Sequence, residues 1–493
     1  MSVPRLAIAA LGAASPRVGA LRYDPQRCSI GIVHLGVGNF HRAHQAVHVD
    51  AALANGQFDW AISGWSLRRE AVPVALTPQD GIYSLLIRDS ARTEARLLAP
   101  IREVHHAPST PDRLIERMAS PATRIITLTI TEKAYGLGPD GRPDLADPSV
   151  AADLAGGRPP KSALGWLSAG LAARRAQAPA ARITLASCDN LSANGDSLRM
   201  GLDAFVRASS DPALADWIMQ AASFPNSMVD RIVPATTAAD RELSRSLTGF
   251  ADAWPVATEP FSQWVVEDRF LAGRPEFEAS GVQFTADVRD WEQMKLRLLN
   301  AAHSAIAYFG VVAGWKTVDE AIRQPVLKDF LVRFWREEAI PTLPASIRAQ
   351  AHGYCEALLI RFDNTALAHK TIQIAADGSK KLPLRWLPTL RARRAAGASF
   401  DCLALAFAAW LHALAGRDES GTRLVLDDPR IDKLAPLASE HDTLQVARGV
   451  FAEEPGLSDL CAHDAVLEPV AKWLARLRAR GVRSCLAEAT ARL

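Results

Sequence analysis

Apolar and polar positions change rhythm near residue 285 of this chain. Before it, short apolar runs rich in β-branched residues recur between helical stretches: SIGIVHLG at 29–36, WAISGWSL at 60–67, TRIITLTIT at 123–131 and ARITLAS at 181–187. Such alternation predicts βαβ units and a mostly parallel sheet. The part from 221 to 285 is irregular, and the apolar–polar alternation of FSQWVVEDRF and GVQFTADV predicts extra strands on the same domain. From about 288 onward the pattern is helical. PVLKDFLVRFWREEAI, LALAFAAWLHALAG and AVLEPVAKWLARLRARG carry apolar residues at the three-to-four spacing of amphipathic helices. The expected organisation is therefore an α/β domain over 1–285 and a mainly helical domain over 286–493. Pro383, Pro388 and the basic run at 391–394 predict a loop or surface turn between helices.

The first apolar run carries a ligand-binding signal. Ile30, Ile32, Val33 and Leu35 make a strand, Gly36 and Gly38 a tight turn, and the residues after them the first turn of a helix. One glycine supplies the backbone angles of the turn, and the other lets a pyrophosphate approach the main chain. The N–H groups of the following helix would point at that anion. The third glycine of a dinucleotide fingerprint falls near position 41, where His41 stands. A dinucleotide site specific for NAD places an acidic residue at the end of the second strand, on the ribose 2′-hydroxyl. Here that strand runs into Arg68, Arg69 and Glu70. Two arginines suit a 2′-phosphate as well as they suit a solvated turn, so NAD and NADP both stay open.

A second polar pattern sits in an apolar segment. Lys295, Asn300 and His303 are set among Leu296, Leu298, Leu299, Ala301, Ala302, Ile306 and Ala307. At about 100° per residue, Asn300 lies about 140° and His303 about 80° round a helix from Lys295, at most about 12 Å apart along the axis. All three can face one cleft. Taken alone, the pattern equally fits Lys295 and Arg297 on a solvated edge beside a satisfied core histidine.

Composition narrows the partners. The chain has 493 residues, room for two domains or three, a net charge of +2 and 22% charged residues. That balance points to neither nucleic acid nor an anionic membrane. Six scattered cysteines, with no CxxC pair and no metal-ligand spacing, suit a reducing cytoplasm rather than a disulfide framework. Arg5 followed by LAIAALGAA faintly imitates a signal peptide, but Gly12, Pro16 and Arg17 break the apolar run, so retention in the cytoplasm is expected. The stretch 403–416 is too short to span a bilayer.

The extended string GVGNFHRAHQA at 36–46 resembles the signature of the long-chain mannitol dehydrogenase family, the polyol and sugar-acid dehydrogenases. Further blocks of that family recur in order: ITLTITEKAYG at 126–136, SCDNLSANG at 187–195, PNSMVDRIVP at 225–234, TEPFSQWVVEDRF at 258–270, KLRLLNAAHSAIAYFG at 295–310 and RFDNTALAHKTIQIAADGSKKLP at 361–383. The resemblance implies a Rossmann-like N-terminal domain with a mostly parallel sheet and a mainly α-helical C-terminal domain. It implies cofactor contacts from Gly36, Val37, Gly38, Asn39, Phe40, His41, Arg42, Thr131, Glu132, Asn190, Val229 and Asp230. Members with a similar serine-leucine-arginine sequence mostly use NAD. Many are monomeric, and no heptad pattern here argues otherwise.

The same resemblance makes Lys295, Asn300 and His303 the catalytic helix, with Asn190 beside them and no metal. Hydride transfer at a secondary alcohol or ketone needs a group that exchanges a proton near neutral pH, and a desolvated lysine can do so. Amide donors such as Asn190 and Asn300 would stabilise charge on the reacting oxygen without titrating. His303 would bond a substrate hydroxyl or orient Lys295. Gln373 stands where mannitol and sorbitol members carry arginine, and HKTIQIAADGSKKLP is similar to the fructuronate reductase (mannonate oxidoreductase) branch. Lys381, Lys370 and Arg361 are the cations available for a substrate carboxylate. The expected activity is NAD(H)-dependent interconversion of D-fructuronate and D-mannonate. The alternatives are a polyol dehydrogenase acting on mannitol or arabinitol, and a non-catalytic dinucleotide-binding regulator.

Overall fold

Parallel strands buried on both faces read as continuous apolar runs, and the four runs before residue 190 form such strands. In the computed structural model, which describes residues 3–15, 18–130, 135–136, 138, 143–366 and 368–491, they are β1 (Ile30–Leu35), β2 (Ala61–Ser66), β6 (Ile125–Leu128) and β7 (Ile183–Ser187). Between β2 and β6 come β3 (Tyr83–Arg88), β4 (Thr93–Leu98) and β5 (Ile101–His106), and β8 (Ala222–Ser223) follows β7. The main sheet has the order β5-β2-β1-β6-β7-β8, with every pairing parallel. The order reverses between β1 and β6. In an open α/β sheet, that reversal is where a crevice opens beyond the carboxyl ends of the strands.

Neighbouring residues of one strand feed opposite cores. Ile32, Ile62 and Ile125 pack with Ala46, Val49 and Leu53 of the helix Gln45–Ala54 on one face. Val33, Ile126 and Leu185 pack with Leu114, Leu167 and Leu198 of three other helices on the opposite face. The irregular part to 285 does yield strands, in two small sheets of their own. β10 (Val256–Thr258) joins β3 and β4, while β9 (Ser227–Asp230), β11 (Gln263–Glu267) and β12 (Gln283–Thr285) form a three-stranded sheet. The apolar run after Arg5 lies against this α/β unit, with Leu6 fully buried and its N–H bonded to the Ala251 carbonyl.

The chain divides into two units, Met1–Arg289 and Asp290–Leu493. The second is helical. Its core holds α1 (Ala301–Ala313), buried along almost its whole length, with α2 (Gly378–Arg385), α3 (Leu387–Ala395), α4 (Asp401–Leu414) and α5 (Asp464–Thr490). The segment Arg289–Ala313 is long and apolar enough to cross a membrane, but 72% of its apolar stretch is buried inside the protein. The loop expected around Pro383 and 391–394 is instead the helix pair α2 and α3. Pro388 sits in the first turn of α3, where no N–H is needed. Leu382, Trp386, Leu387 and Leu390 supply an apolar stripe that is buried. Arg393 and Arg394 fall in the last turn of α3, favourable to the helix dipole, and Arg391 pairs with Asp459.

Candidate functional site

The turn after β1 shows what each glycine does. Gly36 has φ +96°, and a Cβ there would lie 2.1 Å from the Thr129 carbonyl oxygen beyond β6. It is required for the fold. Gly38 has ordinary angles, and an added Cβ would meet only the Gly36 carbonyl oxygen at 3.8 Å. The space over Gly38 is the kind a ligand's phosphates need for close approach to main chain. The helix that follows runs only over Asn39–Ala43. It breaks at His44 (φ −124°, ψ −91°) before a second helix resumes at Gln45, so the expected single helix and its full dipole are absent.

Several side chains expected to meet the cofactor face inward instead. Val37 is buried, and the carbonyl of Trp65 holds its N–H. Arg42 donates to the carbonyls of Gly38 and Trp254 and to Asn39 Oδ1, and the amide of Asn39 donates to the Pro234 carbonyl and Thr236 Oγ1. His41 fills the place of the third glycine by stacking on His34 of β1, with ring centroids 3.3 Å apart. The N–H groups of Gly36 and Val37 go to the Trp65 carbonyl and that of Gly38 to the Gly36 carbonyl, so what this segment can offer a ligand is the open face of Gly38, the main chain of Asn39 and Phe40 and the half-buried ring of Phe40. Burial holds His34 at a pKa of about 3 and His48 at about 4, and pushes His41 and His44 well below the usual imidazole value. These four rings are core groups. Arg68 and Arg69, beyond β2, are exposed.

At the carboxyl ends of β6 and β7 a buried polar network sets the backbone. Asp189 accepts the Ile130 N–H on both oxygens (2.9 and 3.1 Å) and the Tyr135 hydroxyl at 2.8 Å. Asn194 donates to the carbonyls of Asp189 and Ser227 and accepts the Ser227 N–H, tying β7 to β9. Asn190 follows Asp189 and is exposed beyond the end of β7, the end where such sheets take ligands. Val229 and Asp230 lie in β9, paired with Trp264 and Gln263 of β11, and both are buried. Thr131 and Glu132 lie outside the described residues. Asp189 and Asn194, which sequence reasoning passed over, stand in the same SCDNLSANG block as Asn190.

In the helical unit, the segment carrying Lys295 and Asn300 departs from the expected helix. Residues Lys295–Asn300 form a π-helical turn between Arg289–Met294 and α1, and the Ala301 N–H reaches back five residues to the Leu296 carbonyl. The 100° rotation per residue therefore does not hold across it. A π turn takes more residues per turn than an α-helix, so Asn300 lies nearer the face of Lys295 than the α-helical offset of about 140° would put it. Single π turns of this kind are frequent at functional sites. Lys295 is 7% exposed, and Asn300 and His303 are half-buried. The His303 ring lies 4.8 Å from that of Phe362 and 6.1 Å from that of His369.

Lys381 is half-buried on α2 and donates to the Ala376 carbonyl at 2.6 Å; burial, then the charge of Arg385, lowers its pKa. It is close enough to His369 to lower that ring's pKa, after burial. Lys370 is exposed at the start of a short helix, and Arg361 is buried on the helix Ala345–Phe362. Arg385, four residues after Lys381, bonds the Asn300 carbonyl at 3.4 Å and Ser304 Oγ at 3.0 Å. The i, i+4 spacing from Lys381 was the signal for it. Among the described residues no three His, Cys, Asp or Glu side chains converge as metal ligands.

Residues 30–279 match the model of the mannitol dehydrogenase Rossmann domain, and residues 287–477 that of the mannitol dehydrogenase C-terminal domain. The chain is 40% identical over 432 residues to a mannitol 2-dehydrogenase of Pyrenophora tritici-repentis, covering 86% of this chain and 76% of the relative. It is 35% identical over 476 residues to the D-mannonate oxidoreductase of Escherichia coli, covering 94% and 96%. The structure of Pseudomonas fluorescens mannitol 2-dehydrogenase, a ternary complex with NAD and D-mannitol, superposes with a TM-score of 0.82 at 35% identity over 98% of this chain and 99% of that one. With a dinucleotide-type sheet, a glycine turn open at Gly38 and both family domains matched in order, the chain belongs to the mannitol dehydrogenase family of oxidoreductases.

Proposed function

We propose that the protein is an NAD(H)-dependent enzyme interconverting D-fructuronate and D-mannonate, with Lys295 as its acid/base. The region 1–285 binds the dinucleotide, and 286–493 supplies the catalytic lysine and the substrate pocket. The main chain of Asn39 and Phe40, over the open face of Gly38, holds the pyrophosphate, while Asn190 and the Val229–Asp230 segment complete the cofactor side with Thr131 and Glu132. The bound nicotinamide supplies or accepts the hydride. NAD is favoured over NADP by the relative solved with NAD.

Reduction of a ketone places negative charge on its oxygen, and that oxygen must gain a proton. The Lys295 ammonium donates it; a buried amine is the kind of group whose charged form is weakened enough to do so near neutral pH. In the reverse direction the neutral amine removes the hydroxyl proton. The side-chain amide of Asn300 donates a hydrogen bond to that oxygen and holds its charge without titrating. His303 bonds a neighbouring hydroxyl or fixes the rotamer of Lys295. The substrate carboxylate is taken by Lys381, which forms no ion pair among the described residues. Arg361 and Lys370 flank the same block of sequence.

The observation that carries a sugar acid over a neutral polyol is the block around Gln373, together with an alignment to a D-mannonate oxidoreductase that runs almost from end to end of both chains. The higher identity to a mannitol 2-dehydrogenase favours a second reading, a polyol dehydrogenase built on the same machinery. Steady-state kcat/KM with NADH on D-fructuronate and on D-fructose separates the two. The sugar-acid assignment predicts at least about a 100-fold preference for fructuronate, as expected when a site's buried cation is left unpaired by the neutral analogue. Comparable efficiency on fructose overturns it.

A further inference from the structure

We infer that Arg385 is a positioning residue, holding open the π turn on which Lys295 and Asn300 share a face; this rests on Lys295 being the acid/base. A π turn is rare because its backbone bonds are less favourable than those of an α-helix, so something outside the turn has to stabilise it. Here two side chains donate to its carbonyls and a third to the carbonyl of the residue that follows it. Trp335 Nε1 bonds the Leu298 carbonyl at 3.1 Å, Arg385 Nη1 the Asn300 carbonyl at 3.4 Å, and Trp386 Nε1 the Ala301 carbonyl at 3.1 Å. Arg297 ties the outer side of the turn to the Thr342 carbonyl. The two tryptophans are buried core groups. Arg385 differs from them, being a half-buried cation that forms no ion pair among the described residues.

The same nitrogen of Arg385 also donates to Ser304 Oγ, one turn further along α1. A single guanidinium nitrogen therefore bridges the last residue of the π turn and the first full turn of the α-helix after it. Burial pushes the pKa of Arg385 down to about 10, which leaves it charged near neutral pH. Of its two bonds the one to Ser304 Oγ, at 3.0 Å, is the shorter. Losing this bridge lets the turn relax toward α geometry, which rotates Asn300 away from Lys295. Displacements of about 1 Å in catalytic groups cost on the order of 100-fold in rate.

The test compares Arg385→Met, Arg385→Lys and Ser304→Ala with the wild-type enzyme, on D-fructuronate and on a neutral ketose. NADH affinity is measured by fluorescence titration. Arg385→Met is expected to lower kcat about 100-fold on both substrates, with KM and NADH affinity within about twofold. Arg385→Lys, which keeps a charged donor, should recover about tenfold of that loss. Ser304→Ala keeps the guanidinium and one of its two bonds. Its kcat should fall about three- to tenfold with an unchanged unfolding midpoint, and this variant decides the matter if Arg385→Met fails to fold. An unchanged kcat in a folded Arg385→Met or in Ser304→Ala overturns the inference. So does a loss confined to KM for the carboxylate substrate, which would make Arg385 a direct substrate ligand. Lys295→Ala is run alongside. Full turnover in that variant overturns the acid/base assignment and this inference with it, whereas an inactive Lys295→Ala beside an unaffected Arg385→Met overturns this inference alone.

Discussion

Acid should unfold the dinucleotide-binding unit well above the carboxylate range, because its core holds four neutral imidazoles. His34, His41, His44 and His48 are each no more than 5% exposed. His34 bonds Thr127 Oγ1 at 2.7 Å, the His44 Nε2 N–H donates to the Gln263 carbonyl at 2.9 Å, and His48 bonds Ser280 Oγ at 2.9 Å. All four pKa values are depressed in the folded state by burial, to about 3 for His34 and about 4 for His48. Unfolded, each returns to about 6.5. Above pH 6.5 the two states bind the same protons at these sites, and stability does not change. Below it the unfolded chain takes up protons that the native one refuses, so stability falls until the folded pKa values are reached.

At pH 5 the rings of His34 and His48 each cost about 2 kcal/mol, about 4 kcal/mol together and a large share of the stability of many domains, and the buried rings of His41 and His44 act in the same direction. Urea unfolding followed by tryptophan fluorescence from pH 7.5 to 5 measures the loss directly. Trp264, whose ring lies 5.6 Å from that of His48, reports from the cluster itself. His41→Leu should make the fall in stability below pH 6.5 shallower, because it removes one ring whose pKa burial depresses in the fold. Stability at pH 5 within about 1 kcal/mol of its value at pH 7.5, or an unchanged slope in His41→Leu, would refute the reasoning.

Three further outcomes follow from the geometry. Gly38→Ala should fold with an unfolding midpoint close to that of wild type yet bind NADH at least about tenfold more weakly, whereas Gly36→Ala should lose several kcal/mol of stability from its left-handed φ and the clash with the Thr129 carbonyl. Thermal scans and NADH titrations check both. Glu338 is buried with its carboxyl pushed up to about 7, and it accepts the N–H groups of Cys402 and Leu403 at the start of α4. Glu338→Ala should cost about 2 kcal/mol by leaving those donors unpaired, seen as a lower urea midpoint. Replacing both Arg68 and Arg69 with alanine should leave kcat/KM with NADH within about threefold and lower it with NADPH by tenfold or more, since these are the cations placed for a 2′-phosphate.

The parallel sheet was legible because strands buried on both faces leave unbroken apolar runs, and each of the four runs became a strand of it. The π turn was not legible. Leu296, Leu298 and Leu299 fit an α-helical pattern equally well, and one inserted residue per turn changes angles without changing composition. Pro383, Pro388 and three arginines outweighed a buried stripe that was present in the same letters, so α2 and α3 were expected as loop. His41 was expected as a cofactor contact because a polar residue beside a glycine turn reads as one, and only the fold shows its ring stacked on His34 in the core. Asp189 and Arg385 act through backbone carbonyls and N–H groups, partners that sequence spacing does not display.

The role of Lys295 is the claim on which the proposed chemistry depends, and single-turnover hydride transfer in Lys295→Ala tests it most directly. Absorbance at the nicotinamide band would be followed after mixing enzyme and NADH with D-fructuronate at pH 7. Loss of the proton donor predicts a rate lower by about a thousandfold, with NADH affinity unchanged and partial recovery on adding a small primary amine. A rate within tenfold of wild type, or the same loss with no response to the amine, would contradict it.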